Sequence, residues 1–441
     1  MKNELDLARR LLTGDLELLC TEMKLLSCPG YHDSLFDGTG LIRAKRGGRL
    51  SFEMVGRYEN SFPPLAKQAR PPHGQVPGAD EHVLLSATDS YGREWRSNWI
   101  RPKVFPPSSR SNCWVVSAPL ETLITSERRP QVDESEGRLY IQSPGGIPFD
   151  STTHTTRRAG TDELSSGWSL DHHICQIGGA TVEFRKQDRG LLSVHARQPT
   201  PVMPTWAGYV CQALSFATTH TIRPAVAVRE FNDRKDTGIF SGPFAFPRSF
   251  LPPPVSPNEK DDFWLLVQKF IEWCHSSDIA IHGPLFDELA GVHNGSKGSI
   301  ATASLTLAVG IEALTALLFR DVEVTRTPAE DVDDLLAHLR KWDGSNDLKR
   351  RAASILGSMK ATRAVDKLHA FAKSKDLDPE LVSAWKKLRD ETAHGRTPAA
   401  EQPLYDRFFS TAELLYHMLA SPLGYDGTIL STSTRGWGLN E

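Results

Sequence analysis

Residues 242–262, GPFAFPRSFLPPPVSPNEKDD, contain a proline triplet and three more prolines close by. Proline withholds a backbone donor and fixes φ, so neither a helix nor a central strand passes through such a stretch. The phenylalanines and leucine between the prolines predict that it lies against a surface. On its two sides the hydrophobic rhythm differs. Before it, short apolar or alternating runs are separated by Gly, Pro, Asn and Asp: RLSFEMVGRY (49–58), EHVLLSATDS (81–90), CWVVSAPL (113–120), RLYIQSP (138–144) and ATVEFRKQDRGLLSVHAR (180–197). A period of two marks strands, and QDRG between two such runs marks a hairpin. PTWAGYVCQALSFATTHT (204–221) reads as a helix closing this domain. After the prolines the period becomes helical, as in FWLLVQKFIEWCHSS (263–277), where Phe263, Leu266, Val267, Phe270, Ile271 and Cys274 share a face. The expected fold class is α+β. A β-rich, sandwich-like domain occupies 1–228, a proline-rich linker 229–260, an all-α bundle 261–425 and a tail 426–441.

A chain of 441 residues with net charge -3 has room for two or three domains and carries no global basic signature. Contact with nucleic acid must therefore come from a local patch. Cys20, Cys28, Cys113, Cys175, Cys211 and Cys274 follow no disulfide or metal framework, which fits reduced thiols in a cytoplasm. The N-terminus MKNELDLARRLLTGD lacks the apolar core of a signal peptide. The run from Ala301 to Phe319 has the length of a membrane span, but Ser304, Thr306, Gly310 and Glu312 interrupt it. It reads as a helix in a protein core, and no membrane partner is expected. Glu312 in so apolar a setting requires a partner. A salt bridge holding the bundle and a role in positioning an active-site arginine are both consistent with it.

The stretch AWKKLRDETAHGRTP (384–398) closes a helix that Asp378 caps and Pro379 opens, with Gly395 as its left-handed stop. Leu381, Ala384, Trp385 and Leu388 form its buried stripe. Arg389 and His394 are about 140° apart on a regular helix, whereas Asp390 and His394 share a face. A composite site needs the last turn to unwind or two copies of the helix to meet. The residue types suit RNA cleavage without a metal. Histidine takes the proton from the ribose 2′-hydroxyl, and arginine holds charge developing on the phosphate. The products would be a 2′,3′-cyclic phosphate and a 5′-hydroxyl. A histidine in a last helical turn also complements the helix dipole, and an Arg–Asp pair is also an ordinary solvated face.

Arg389-Asp390-Glu391-Thr392-Ala393-His394 has the R-polar-x3-H form of the HEPN ribonuclease motif. Its setting WKKLRDETAHG, the later Gly424-Tyr425-Asp426-Gly427 and the GIEAL of 310–314 resemble the ApeA-like HEPN group over about residues 261–437. The resemblance implies a HEPN helical bundle that pairs as a homodimer or higher homo-oligomer, with two Arg/His motifs face to face. It implies metal-independent endoribonuclease activity in anti-phage defence by abortive infection. RNA is then the substrate, no cofactor is needed, and the N-terminal domain senses a phage-derived trigger. Carried onto this chain, His394 transfers the proton, Arg389 holds the scissile phosphate, Asp390 orients or polarises, and Glu312 supports. Asp390 departs from the asparagine common at that place and adds negative charge near the phosphate.

Other signals are weaker. Lys349, Arg350, Arg351, Lys360, Arg363 and Lys367, with Arg396 beyond the motif, are candidate RNA contacts or solvated helix faces. Asp171-His172-His173-x-Cys175 has metal-ligand types without a second cluster, so no metal is expected. Trp95, Trp99 and Trp114 read as packing residues, and SPGGIPFD (143–150) as a turn. Two rival readings stand beside the ribonuclease: a non-catalytic HEPN dimer serving as scaffold or ligand-sensing module, and a recognition sandwich with the bundle only for dimerisation.

Overall fold

A computed structural model describes residues 2–27, 34–58, 65, 82–107, 112–157, 164–199, 202–320, 322, 329–359, 363–393 and 401–431. The chain divides into two compact units, one formed by Met1–Phe246 with Phe270–Glu272, the other by Pro247–Lys269 with Trp273–Glu441. The coarse α+β expectation holds: a large antiparallel sheet occupies the first unit and helices the second.

The first unit begins with helix α1 (Lys2–Thr13). Its strands are β1 (Glu17–Leu26), β2 (Ser34–Lys45), β3 (Arg49–Arg57), β4 (Val83–Asp89), β5 (Glu94–Ile100), β6 (Lys103–Phe105), β7 (Cys113–Leu120), β8 (Thr122–Arg128) and β9 (Ser135–Gln142). They continue with β10 (Asp150–Arg157), β11 (Leu164–Ile177), β12 (Ala180–Gln187), β13 (Leu191–Gln198), helix α2 (Trp206–Thr218), β14 (Pro224–Phe231) and β15 (Arg234–Phe240). Hydrogen bonding is continuous through the 15 described strands, in the order β10-β11-β12-β13-β9-β14-β15-β8-β5-β4-β1-β2-β3-β7-β6. The alternating runs behave as their period dictates: β4 buries every second residue, and β7 does so along its length. One face of β1–β5 and β7 collects Phe36, Phe52, Met54, Trp95 and Trp114 into a core. Trp95 and Trp114 are thus packing residues, whereas Trp99 is partly exposed.

β9 is buried on both faces because a helix covers each. On one face, Tyr140 joins Ala8 of α1 and Val226 and Val228 of β14. On the other, Trp206 of α2 lies over Gly137, where a Cβ would come within 2.6 Å of the indole. The helix expected over 204–221 does pack on the sheet.

The expected boundary at 228 is too early. β14 pairs with β15 as a hairpin whose turn and second strand fall inside the stretch assigned to the linker, with Phe231 opposite Arg234. Asn232 at φ 52 makes the tight two-residue turn that lets the strands pair. The charged residues of β15 concealed it, since they serve ion pairs rather than apolar alternation.

The second unit contains α3 (Lys260–Ser276), α4 (Ile279–Gly295), α5 (Ile300–Leu318), α6 (Ala329–Lys341), α7 (Asn346–Ser358), α8 (Ala364–Ser374), α9 (Pro379–Ala393) and α10 (Glu401–Leu423). The helix over 279–295 is not evident from the sequence; Pro284 and Gly283 in its first turns hide the period. α5 is the hub, packed against α4, α8, α9 and α10. Gly310 permits the α4 approach, since a Cβ there would meet Val292 at 2.5 Å. Trp385 of α9 donates its indole N–H to the Ala308 carbonyl at 3.0 Å, a buried bond that fixes how α9 lies on α5. Residues 425–430 return to the same unit: Thr428 donates its amide to Asp262 at 3.0 Å, and Leu430 to the Pro254 carbonyl at 2.8 Å.

Candidate functional site

The site is built where α9 ends beside α5. Asp378 accepts the Glu380 amide at 2.8 Å and starts α9, as the sequence predicts. Leu381, Ala384, Trp385 and Leu388 are buried, so α9 has one fixed rotation on its neighbours. That rotation brings Arg389 to Glu312 of α5. The guanidinium donates twice, Nε to Oε2 at 2.7 Å and Nη2 to Oε1 at 2.9 Å. Two parallel charge-assisted bonds fix the plane of the arginine as well as its place. Those hydrogen bonds raise the Arg389 pKa further, against the smaller opposing effect of burial, so the cation is permanent.

Glu312 is not the deeply buried acid that its apolar helix implied. Its side chain keeps 41% exposure and that of Arg389 42%. Glu312 sits at the edge of α5, on the stripe that also presents Leu305 (41% exposed) and Val309 (51% exposed). The helix from 300 to 318 is long and apolar enough to cross a membrane, and it is also the packing hub of its unit.

Asp390 lies 3.8 Å from Nη1 of Arg389, with its carboxylate more than half exposed. Glu391 pairs with Arg407 of α10, which clamps the end of α9 to the last helix. No sequence signal marks Arg407, because its partner lies across a helix–helix contact and not within hydrogen-bonding range along one helix. His394 and Arg396, like Lys360, lie outside the described residues.

The basic candidates separate. Arg350 and Arg351 of α7 are exposed and both reach Asp347, at 2.7 and 3.1 Å. Lys349 precedes them on the same helix. Arg363 binds Asp366 at 3.0 Å. Lys367 serves the bundle instead. Its ammonium donates to the carbonyls of Phe319 at 2.6 Å and Arg320 at 3.2 Å, capping the C-terminal end of α5. It is committed to the fold rather than to a phosphate-tracking surface.

In the other unit, His172 pairs with Glu183 at 3.1 Å and His173 with Asp150 at 2.8 Å. The two histidines are neighbours on a strand and point to opposite faces. Among the described residues, no group of three potential ligands could hold a metal.

Compared with known proteins, the chain matches no family model, no curated protein and no solved structure.

Proposed function

We propose that the chain is a metal-independent endoribonuclease of the HEPN kind acting in anti-phage defence. In this reading the helices of the second unit are its HEPN bundle, and the sheet is a sandwich-like sensor domain for a phage-derived trigger. The observation that carries it is the Glu312–Arg389 pair. Holding a permanent cation at the surface in one orientation suits a group that must meet a phosphate oxygen in a set direction. Arg389 stabilises charge on the scissile phosphate, and His394 takes the 2′-hydroxyl proton. Asp390 orients the neighbouring groups, and Glu312 positions Arg389. Arg350 and Arg351 supply further contact to the RNA backbone.

A homodimer through the same helix belongs to this reading. Leu305 and Val309 form an exposed apolar stripe in register with Glu312, so a second copy seated there brings its own Arg389 near the first. Replacing both by glutamate should leave the fold intact and yield a monomer by sedimentation; an unchanged dimer places the interface elsewhere.

The central experiment expresses wild type, Arg389→Ala and His394→Ala in bacteria, with and without phage, and analyses total RNA and its ends. Cleavage leaving 2′,3′-cyclic phosphates in wild type and in neither variant supports the proposal. Intact RNA in all three, with protection unchanged, rejects it. One observation favours a second reading, a non-catalytic dimer scaffold: the Arg389 fork is already satisfied by Glu312. A scaffold tolerates His394→Ala.

A further inference from the structure

The first unit holds a charged cavity that the ribonuclease reading does not use. It lies beside the N-terminal end of α1, where β8, β9, β14 and β15 adjoin, and has a volume of about 430 Å³. Its charged lining is Glu4, Arg129, Arg138, Glu230 and Lys235. A smaller compartment of about 220 Å³ shares Glu4, Arg129 and Lys235 with it and adds Arg93 and Glu127. The larger volume falls within the range of small-molecule sites and admits a ligand of mononucleotide size.

Charge decides the class of ligand. Lys235 bonds Glu4 at 2.6 Å and lies 3.5 Å from Glu230. Arg138 pairs with Glu230 and is 3.8 Å from Glu4. The two inner cations thus share two carboxylates. Arg129 is the third cation of the larger compartment, and its own carboxylate, Glu127 at 2.6 Å, belongs to the smaller one. The smaller compartment sets Arg93, Arg129 and Lys235 against Glu4 and Glu127. The lining of the larger compartment carries one more cation than carboxylate, whereas in the smaller one Arg93 is paired with Asp89, 3.7 Å away behind the lining, and the charges balance. Glu136, just outside the lining, also accepts from Arg138 at 3.2 Å, but it is shared with Arg197 at 3.3 Å and leaves the balance unchanged.

A second observation points the same way. The Arg138 side chain is only 8% exposed, and its Nε, buried, has no acceptor among the described atoms. A buried guanidinium N–H without an acceptor is costly, and it shows that the carboxylates around Arg138 do not exhaust its donors. Arginine forks match carboxylate and phosphate oxygens in pairs.

We propose that this cavity binds a small anion with a phosphate or carboxylate head, of up to mononucleotide size. Arg129, at the junction of the two compartments and half exposed, is the entry contact; Arg138 and Lys235 are the inner ones. The site also ties ligand binding to the seating of α1, because Glu4 reaches it from that helix. The proposal stands whether or not the second unit cuts RNA.

The test titrates the full chain with inorganic phosphate, adenosine 5′-monophosphate and acetate, against sodium chloride at matched ionic strength and neutral adenosine. Thermal melting and calorimetry are the readouts. The expected result is saturable binding of at least one anionic probe with Kd below about 1 mM, and none of adenosine. Phosphate or the nucleotide alone assigns a phosphate head; acetate assigns a carboxylate. Arg129→Gln should weaken the bound probe at least about tenfold while leaving the ligand-free Tm unchanged, since the residue is half exposed. Arg129→Lys, which keeps the charge but not the fork, serves if Arg129→Gln disturbs the fold. No saturable binding beyond the chloride control overturns the proposal, as does binding that both variants leave intact.

Discussion

Replacing Glu312 by glutamine separates positioning from mere packing. The substitution keeps the size and one carbonyl oxygen, so one of the two bonds to Arg389 survives and the other carboxylate oxygen becomes an amide donor. Both side chains are about two-fifths exposed. Solvent screening therefore limits the pair to roughly 0.5–1 kcal/mol of stability, despite its two-pronged geometry. For a helical unit of this size, that lowers Tm by less than about 4 °C. A protein of ordinary stability then remains more than about 99% folded at 25 °C. On the ribonuclease reading, catalysis responds on a different scale. Freed from its second bond, the Arg389 plane turns, and the phosphate loses a donor aimed at its developing charge. A loss of about 1.4–2.8 kcal/mol in the transition state is a drop of about 10- to 100-fold in rate. The assay is cleavage of a labelled single-stranded RNA by the full chain, with melting measured on the same preparation. A rate within twofold of wild type, with Tm lowered, refutes the positioning role and leaves Glu312 as a bundle salt bridge. Rescue by Glu312→Asp, whose shorter carboxylate still reaches the fork with small adjustment, should be partial.

Three other perturbations test the fold around the sites. Gly137→Ala places a methyl 2.6 Å from the Trp206 indole, so α2 must shift from β9; urea unfolding should show a loss of about 2–3 kcal/mol. Lys367→Met removes the cation bound to the Phe319 and Arg320 carbonyls and should cost about 1 kcal/mol, with RNA affinity measured by filter binding unchanged. Burial acts to raise the Glu4 pKa, but it is outweighed, chiefly by the hydrogen bond from Lys235, and the group falls from 4.5 to about 2. Its stabilising effect is therefore complete above about pH 5 and disappears as pH falls toward 2, a loss of roughly 2–3 kcal/mol; Glu4→Gln should flatten the acid limb of stability measured by urea unfolding.

The sequence was readable where one element decides its own structure. The alternation of β4 and β7, the QDRG hairpin between β12 and β13, the Asp378 cap and the stripe of α9 all depend on neighbours along the chain. It was opaque where distant partners decide. Glu4, Arg138 and the Glu230–Lys235 hairpin pair lie far apart in sequence, and their shared burial is visible only once α1 lies across β9 and β14. The same holds for Lys367, which reads as one of several surface bases until the end of α5 arrives beneath it. β14 and β15 were missed because their charged positions answer to ion pairs such as Arg229 with Asp236 at 2.9 Å. For the candidate site, residue types and the partner acid Glu312 were legible. The surface setting of Glu312 was not, since an apolar helix at a bundle's edge carries the same residues as one at its centre.

On the ribonuclease reading, the charges around Arg389 divide the work of the site. Arg389 and Arg407 face Glu312, Asp390 and Glu391, so the immediate neighbourhood is acidic. It cannot draw a polyanion toward itself. On that reading, the attraction falls to bases such as Lys386 and Lys387, exposed one turn earlier on α9. Attraction at a distance needs only number and sign of charge, whereas acceleration needs a donor aimed where charge appears. An arginine half neutralised by Glu312 binds an ordinary backbone phosphate weakly. It responds more strongly to the extra charge of a phosphorane-like transition state, and this difference between ground and transition state is what raises a rate. On the ribonuclease reading, Asp390 in place of asparagine strengthens the contrast: it discourages resting occupancy by RNA and leaves the cation fixed for the moment of reaction.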